Sequence, residues 1–158
     1  KANMREKRYN HSLSVAEVCR DLARAHHLDE DKAVSIGLLH DVAKQWDKDL
    51  CKELMERYYP AYVSEAEPIW HQYLAVYYLK HHLYLYDKVI LRAVGHHVKG
   101  DCDDPYALIV YIADKTEPTR GYDASRELAL ARKDLKAAAE LIKEEQKAYI
   151  FKTEGKHV

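Results

Sequence analysis

Residues that break regular structure are scarce in this chain. Five glycines and four prolines punctuate 158 residues, and no stretch alternates with period two for long. That pattern argues against a sandwich or barrel of short strands and for helices throughout. An excess of charge of one sign is also lacking, since 25 basic residues face 26 acidic ones. Without a net field, neither a nucleic-acid partner nor an anionic membrane surface is expected, local patches aside. No apolar run approaches membrane-spanning length, and the opening KANMREKRYN has none of the apolar stretch of a signal peptide. Cysteine appears three times, at Cys19, Cys51 and Cys102, an odd number without framework spacing. Free thiols in a reducing, cytoplasmic setting are therefore expected. Phenylalanine is nearly missing, one residue against thirteen tyrosines, which predicts tyrosines lining an amphipathic core.

What the chain does have is histidine, ten in all. Its length predicts one domain spanning 1–158, large enough to bury a core. With 47% apolar and 32% charged residues, it is globular rather than disordered. Helical periodicity places helices near 9–26, 30–45, 47–58, 68–83, 86–98, 105–116 and 124–150. Asp29 or Asp31 supplies a start signal for the second, and Asp134 is expected to break the last. Loops fall between Pro60 and Pro68, from Gly100 to Pro105, and from Pro118 to Gly121. The segment ELALARKDLKAAAELIKEEQK reads as a solvated supporting helix.

A helix repeats its face at i, i+3, i+4 and i+7. His40 continues the stripe of Ala33, Ile36 and Gly37, and His11 aligns with Val15, Val18 and Leu22. His71 aligns with Leu74, Ala75 and Tyr78, and His97 with Ile90, Ala93 and Val94. Asp114 shares a face with Ala107, Val110 and Tyr111, where an unpaired carboxylate would be costly. Together with Asp41, beside His40 in GLLHDVAK, these make six inward polar candidates on five helices. One histidine on an apolar face is more often a hydrogen-bonded core residue than a ligand, and an inward aspartate is most often a cap or an ion-pair partner. Six together in an apolar bundle favour a metal, for which imidazole and carboxylate suit iron, manganese or zinc. His26, His27, His81, His82, His96 and His157 are assigned to the surface.

The ordered set His11, His40-Asp41, His71, His97 and Asp114 resembles the HD-domain metallophosphohydrolases. RYNHSLSVA, GLLHDVAK, Trp70-His71, GHHVKG and ADKTEPTR are similar to the YqeK-type branch, symmetrical bis(5′-nucleosyl)-tetraphosphatases that use iron. The likeness covers about residues 8–121, with 124–150 compatible. Gln72-Tyr73 stands where that branch commonly has Gly-Pro, and Val98 where Thr is expected. Only ten residues precede His11 here, so an N-terminal piece of the family pattern is expected to be missing or replaced.

The resemblance implies an all-α HD-domain helical bundle with a metal site between helices. It also implies two metal ions, iron foremost and manganese or zinc as substitutes. His11, His40, Asp41 and Asp114 would hold one ion, and Asp41 would bridge to a second held by His71 and His97. A hydroxide shared by the ions would attack phosphorus and split diadenosine tetraphosphate into two ADP. Asp41 and Lys44 are the catalytic candidates, and Lys44, Arg120 and Arg8 the substrate-binding ones. For Lys44 a solvated lysine at a helix end is an equal alternative. The expected partner is a small dinucleoside polyphosphate, with a homodimer left open. The rival functions are an HD phosphohydrolase acting on nucleoside monophosphates or cyclic dinucleotides, and a non-catalytic nucleotide or metal sensor.

Overall fold

The computed structural model describes residues 4–155, with side chains placed for 5–149. Its eight helices are α1 (Met4–Ala25), α2 (Glu30–Leu39), α3 (Lys48–Tyr58), α4 (Glu67–His81), α5 (Lys88–Gly95), α6 (Pro105–Thr116), α7 (Ser125–Lys133) and α8 (Leu135–Gly155). Short 3-10 turns lie at Pro60–Tyr62 and Pro118–Arg120. Among the described residues there is no strand, so the all-α expectation holds. No helix among them is long and apolar enough to cross a membrane.

Aspartates start most of these helices. The side chains of Asp29, Asp47, Asp87 and Asp104 each accept a backbone N–H in the first turn of α2, α3, α5 and α6. Pro68 and Pro105 sit in the first turns of α4 and α6, where a missing N–H costs nothing. Asp134 ends α7 and accepts the N–H of Ala137 in α8 at 3.0 Å, as its expected role as a break requires.

The bundle is arranged around α6, in which every residue from Ala107 to Asp114 is buried. It packs against α1, α2, α5 and α8. Leu22, Ile36, Leu74, Leu79, Ile109 and Ile112 fill the core, each fully withdrawn from water. Side chains of this size contribute about 1.5–3 kcal/mol apiece when buried. At Gly37 the backbones of α1 and α2 touch, and an added Cβ would lie 2.7 Å from the Ala16 Cα. This close approach brings the rings of His11 and His40 to 5.4 Å between centroids.

Two helices stop earlier than periodicity predicts. α2 was expected to reach residue 45 and ends at Leu39; α5 was expected to reach 98 and ends at Gly95. The same imidazole contact stands at both ends, although His71 makes it inside α4 without stopping that helix. His40 Nδ1 takes the Gly37 carbonyl at 2.6 Å, and His97 Nδ1 takes that of Val94 at 2.7 Å. Beyond them the backbone tightens to i→i+3 bonds, as in Val42 N–H to Leu39 O and His97 N–H to Val94 O. The tyrosine expectation also needs correction. Tyr111 is buried, but Tyr9, Tyr58, Tyr62, Tyr84, Tyr86, Tyr122 and Tyr149 are exposed. A phenol keeps its hydroxyl in water while its ring packs on a neighbour, as Tyr77 does on His81 and Tyr78 on His82.

Candidate metal centre

Five elements meet at one point: α1 with His11, the turn after α2 with His40 and Asp41, α4 with His71, the turn after α5 with His97, and α6 with Asp114. Three of the four histidines use one device. Each places Nδ1 on the carbonyl three residues back: His40 on Gly37 at 2.6 Å, His71 on Pro68 at 2.6 Å, His97 on Val94 at 2.7 Å. A carbonyl only accepts, so Nδ1 carries the proton and Nε2 presents a lone pair to the centre. The fourth, His11, donates from Nδ1 to Glu117, whose carboxylate is also held by the N–H and hydroxyl of Thr119. Such outer partners fix the tautomer and aim of metal-ligating imidazoles.

The carboxylate of Asp41 is divided between two groups. Its Oδ2 lies 3.4 Å from His40 Nε2 and 3.6 Å from His11 Nε2. Its Oδ1 lies 3.5 Å from His71 Nε2 and 3.6 Å from His97 Nε2. Asp114 Oδ1 completes the first group, 3.0 Å from His11 Nε2 and 3.4 Å from His40 Nε2. Thus His11, His40, Asp41 and Asp114 form one set of converging ligand atoms, and Asp41, His71 and His97 a second.

These contacts are unfavourable without a cation. With both Nδ1 atoms protonated, the Nε2 lone pairs of His71 and His97 confront one another at 3.0 Å. His40 Nε2 and Asp41 Oδ2 are buried without a hydrogen-bond partner, and a buried orphan of this kind costs about 1–3 kcal/mol. A metal ion in each group would satisfy all of these atoms at once, so the residues fit a two-ion centre.

Electrostatics agrees with a site built for positive charge. Burial pushes the Asp41 carboxyl up, but His71, His97 and His40 outweigh it and hold the group far below the usual carboxylate range. Asp114 is likewise held well below that range, its burial outweighed by His11, His40 and Lys115. Burial drives His97 down to about 4 and so keeps it neutral, as a ligand must be. For His40 burial also pulls downward, yet Asp114 and Asp41 leave it raised overall.

A cavity of about 500 Å³ opens onto the centre, with Lys44, Trp70, His71, Asp114, Lys115 and Arg120 among its walls. It shares Val98, Lys115, Arg120 and Gln146 with a neighbouring cavity of about 820 Å³ that also has Tyr122 and Tyr149 in its wall. All six expected ligands are therefore together, and Lys44 stands exposed at the cavity wall. Arg120 turns onto Asp114, with Nη2 3.3 Å from Oδ1, and Arg8 Nη1 lies 3.5 Å from Asp41 Oδ2. Periodicity missed Glu117 and Lys115. Lys115 Nζ reaches Asp114 Oδ2 at 2.8 Å, and Glu117 is buried beneath His11. The signal available was their place in ADKTEPTR, within three residues of Asp114. Of the histidines assigned to the surface, His27, His81 and His82 are exposed. His26 is half-buried, bonded to the Ala131 carbonyl at 2.7 Å, and His96 pairs with Asp101. His157 lies outside the described residues.

Comparison with known proteins agrees with this geometry. The HD domain family model matches residues 8–119. The chain belongs to the HD domain family. A probable nicotinate-nucleotide adenylyltransferase/Ap4A hydrolase of Mycoplasma genitalium is 32% identical over 151 residues, 87% of this chain and 42% of the relative. The chain thus spans less than half the length of that relative. The symmetrical bis(5′-nucleosyl)-tetraphosphatase of Bacillus subtilis is 30% identical over 135 residues, 82% of this chain and 73% of that protein. The resemblance to symmetrical tetraphosphatases read from the motifs is therefore borne out. A crystal structure of a predicted HD superfamily hydrolase involved in NAD metabolism, from Clostridium acetobutylicum, shares the fold. Its TM-score is 0.81 at 24% identity, over 96% of this chain and 82% of that one. An HD domain implies divalent-metal binding, and the two ligand sets converging on Asp41 are where the ions fit.

Proposed function

We propose that this HD domain is a metal-dependent hydrolase that cleaves diadenosine tetraphosphate symmetrically into two ADP. The observation that carries the reading is the division of Asp41, with Oδ2 facing His11 and His40 and Oδ1 facing His71 and His97. The names of the Mycoplasma genitalium and Bacillus subtilis relatives support the substrate. His11, His40, Asp41 and Asp114 hold one ion, and Asp41, His71 and His97 the other. Iron is the first candidate, and manganese or zinc suits the same ligands. When bound, two such ions supply an activated water and charge neutralisation at phosphorus.

The chain's own residues do the remainder. Lys44 and Lys115, at the cavity wall, meet the phosphate oxygens and offset their charge. Arg120 and Arg8 hold the carboxylates of Asp114 and Asp41 in place. The two adjoining cavities give a polyphosphate bearing a nucleoside at each end room to lie across the centre. Water adds across the central P–O–P bridge. Its oxygen stays on one half while the bridging oxygen leaves with the other, so each half departs as ADP. A cytoplasmic location is part of the reading, in keeping with free thiols at Cys19, Cys51 and Cys102.

The test is metal analysis of anaerobically purified protein, followed by product analysis with diadenosine tetraphosphate. Two ions per chain and ADP as the sole nucleotide product are expected. Nucleosides or linear dinucleotides from other substrates, with diadenosine tetraphosphate left intact, would move the chain to a sister HD activity. Ligand binding without any phosphate-containing product would make it a sensor.

A further inference from the structure

The second histidine pair is held by a side chain that no ligand set includes. Gln72 follows His71 in α4 and is 1% exposed. Its Oε1 accepts the backbone N–H of Val98 at 3.1 Å and of Lys99 at 3.3 Å. Those two amides come directly after His97, in the turn where α5 has already ended. One amide oxygen thus ties the residue beside His71 to the residues beside His97, across 26 positions of sequence. The next residue adds a second strut, because Tyr73 donates to Glu65, which pairs with Lys99 Nζ at 2.9 Å. Gly100 closes the same turn at φ +63°, with its backbone against the Tyr111 ring.

The turn needs such a tie. His97 is no longer carried by regular α5 hydrogen bonding: the His96 and His97 N–H groups reach the carbonyls of Ala93 and Val94 at 3.4 Å. Yet its Nε2 stands 3.0 Å from that of His71 and 3.6 Å from Asp41 Oδ1. Ligand atoms on two separate elements keep such spacing only if something fixes the elements to one another.

We propose that Gln72 is a positioning residue for the second ion, clamping the His97 turn to α4 so that His71 and His97 share one metal with Asp41. The proposal rests on the two-ion reading and goes beyond it in making the second half depend on a non-ligand. A plain structural amide would, when lost, lower stability without distinguishing the two ions. The clamp predicts a selective effect.

The experiment measures stepwise binding of Mn²⁺ by calorimetry in the metal-stripped full chain, with hydrogen exchange at the Val98 and Lys99 amides. Gln72→Met keeps the length and removes the acceptor. Gln72→Asn keeps the amide but falls short by one methylene. Both are expected to bind one ion as the parent does, and the second on the order of 10–100-fold more weakly. Their Val98 and Lys99 amides should exchange faster. Gln72→Glu retains an oxygen at the same reach and should keep both ions and the protection of both amides. Equal binding of both ions by Gln72→Met or Gln72→Asn overturns the proposal, as does equal loss of both. If Gln72→Met does not fold, the contrast of Asn with Glu carries the test. A parent that binds no second ion would instead refute the two-ion reading. Amide exchange would then still report whether the clamp exists.

Discussion

The two halves of the centre are built from different materials. The half containing His11 and His40 has two carboxylates, Asp41 and Asp114, and is surrounded by charged neighbours. Lys115 and Arg120 hold Asp114, Arg8 approaches Asp41, and Glu117 supports His11. The half containing His71 and His97 has two imidazoles and one oxygen of the shared Asp41 carboxylate, supported by backbone carbonyls and by Gln72. More ligands and more negative charge favour a hard divalent cation, so the first half should bind more tightly. The second, with fewer ligand atoms, would hold its ion more weakly, and the cavity reaches both halves, at His71 and at Asp114.

The largest effect should follow from removing what the halves share. Asp41→Ala deprives both ligand sets of an oxygen, and both ions and all hydrolytic activity should be lost while the far-ultraviolet helical signal persists. Elemental analysis and product assay check this together. Two ions retained at full occupancy would break the comparison at its root.

The asymmetry itself is tested by removing one private ligand from each half. His97→Ala should leave close to one ion per chain, still held by His11, His40, Asp41 and Asp114. Asp114→Ala should leave less than one, because the His71–His97 half is then alone with a single carboxylate oxygen. Calorimetric titration with Mn²⁺ distinguishes the outcomes, and equal residual affinities in the two variants would show the halves to be equivalent. Lys44→Ala should act on neither half. Lys44 is exposed at the cavity wall and has no ion-pair partner among the described residues. Its loss should leave two ions bound and raise KM by roughly tenfold, the weight of one charge-assisted contact.

These differences were unevenly legible in the sequence. The ligands stood out because six polar residues, His11, His40, Asp41, His71, His97 and Asp114, fell inward in one apolar bundle, although any one of them alone reads as a core residue. Of the aspartate caps, Asp29 and Asp134 were read from the sequence, while Asp47, Asp87 and Asp104, which act by the same short-range device, emerged only with the structure. The early ends of α2 and α5 were not legible, because Leu39 to Trp46 and Gly95 to Val98 keep an acceptable helical pattern. Past Leu39 and Gly95 the backbone tightens to i→i+3 bonds, and periodicity carries no trace of that. Glu117 escaped for a related reason: it supports His11 from 106 positions away, through a contact that only the packing of α1 on the turn after α6 creates. Gln72 looked like a departure from the family pattern, and its tie to Val98 and Lys99 existed only in three dimensions.

The smallest expected effect lies outside both halves, in the wall of the larger cavity. Glu127, buried at the start of α7, faces Glu145 of α8. At the centre, buried carboxylates are offset by histidine, lysine and arginine. Here Glu145, itself exposed, is raised by partial desolvation and by the neighbouring Glu127, and Arg126 offsets them only in part. An acid whose folded pKa is raised favours its protonated form in the folded chain. Its contribution to stability is therefore greatest at low pH and is lost as pH rises from the ordinary glutamate range through the raised value. Glu145→Gln makes the neutral form permanent. It should raise the melting temperature slightly at pH 7 and leave it unchanged near pH 4, with metal content unaffected at pH 7. A shift of the same size at both pH values would mean that packing, not charge, sets the effect. A loss of metal would mean that the acid pair belongs to the centre after all.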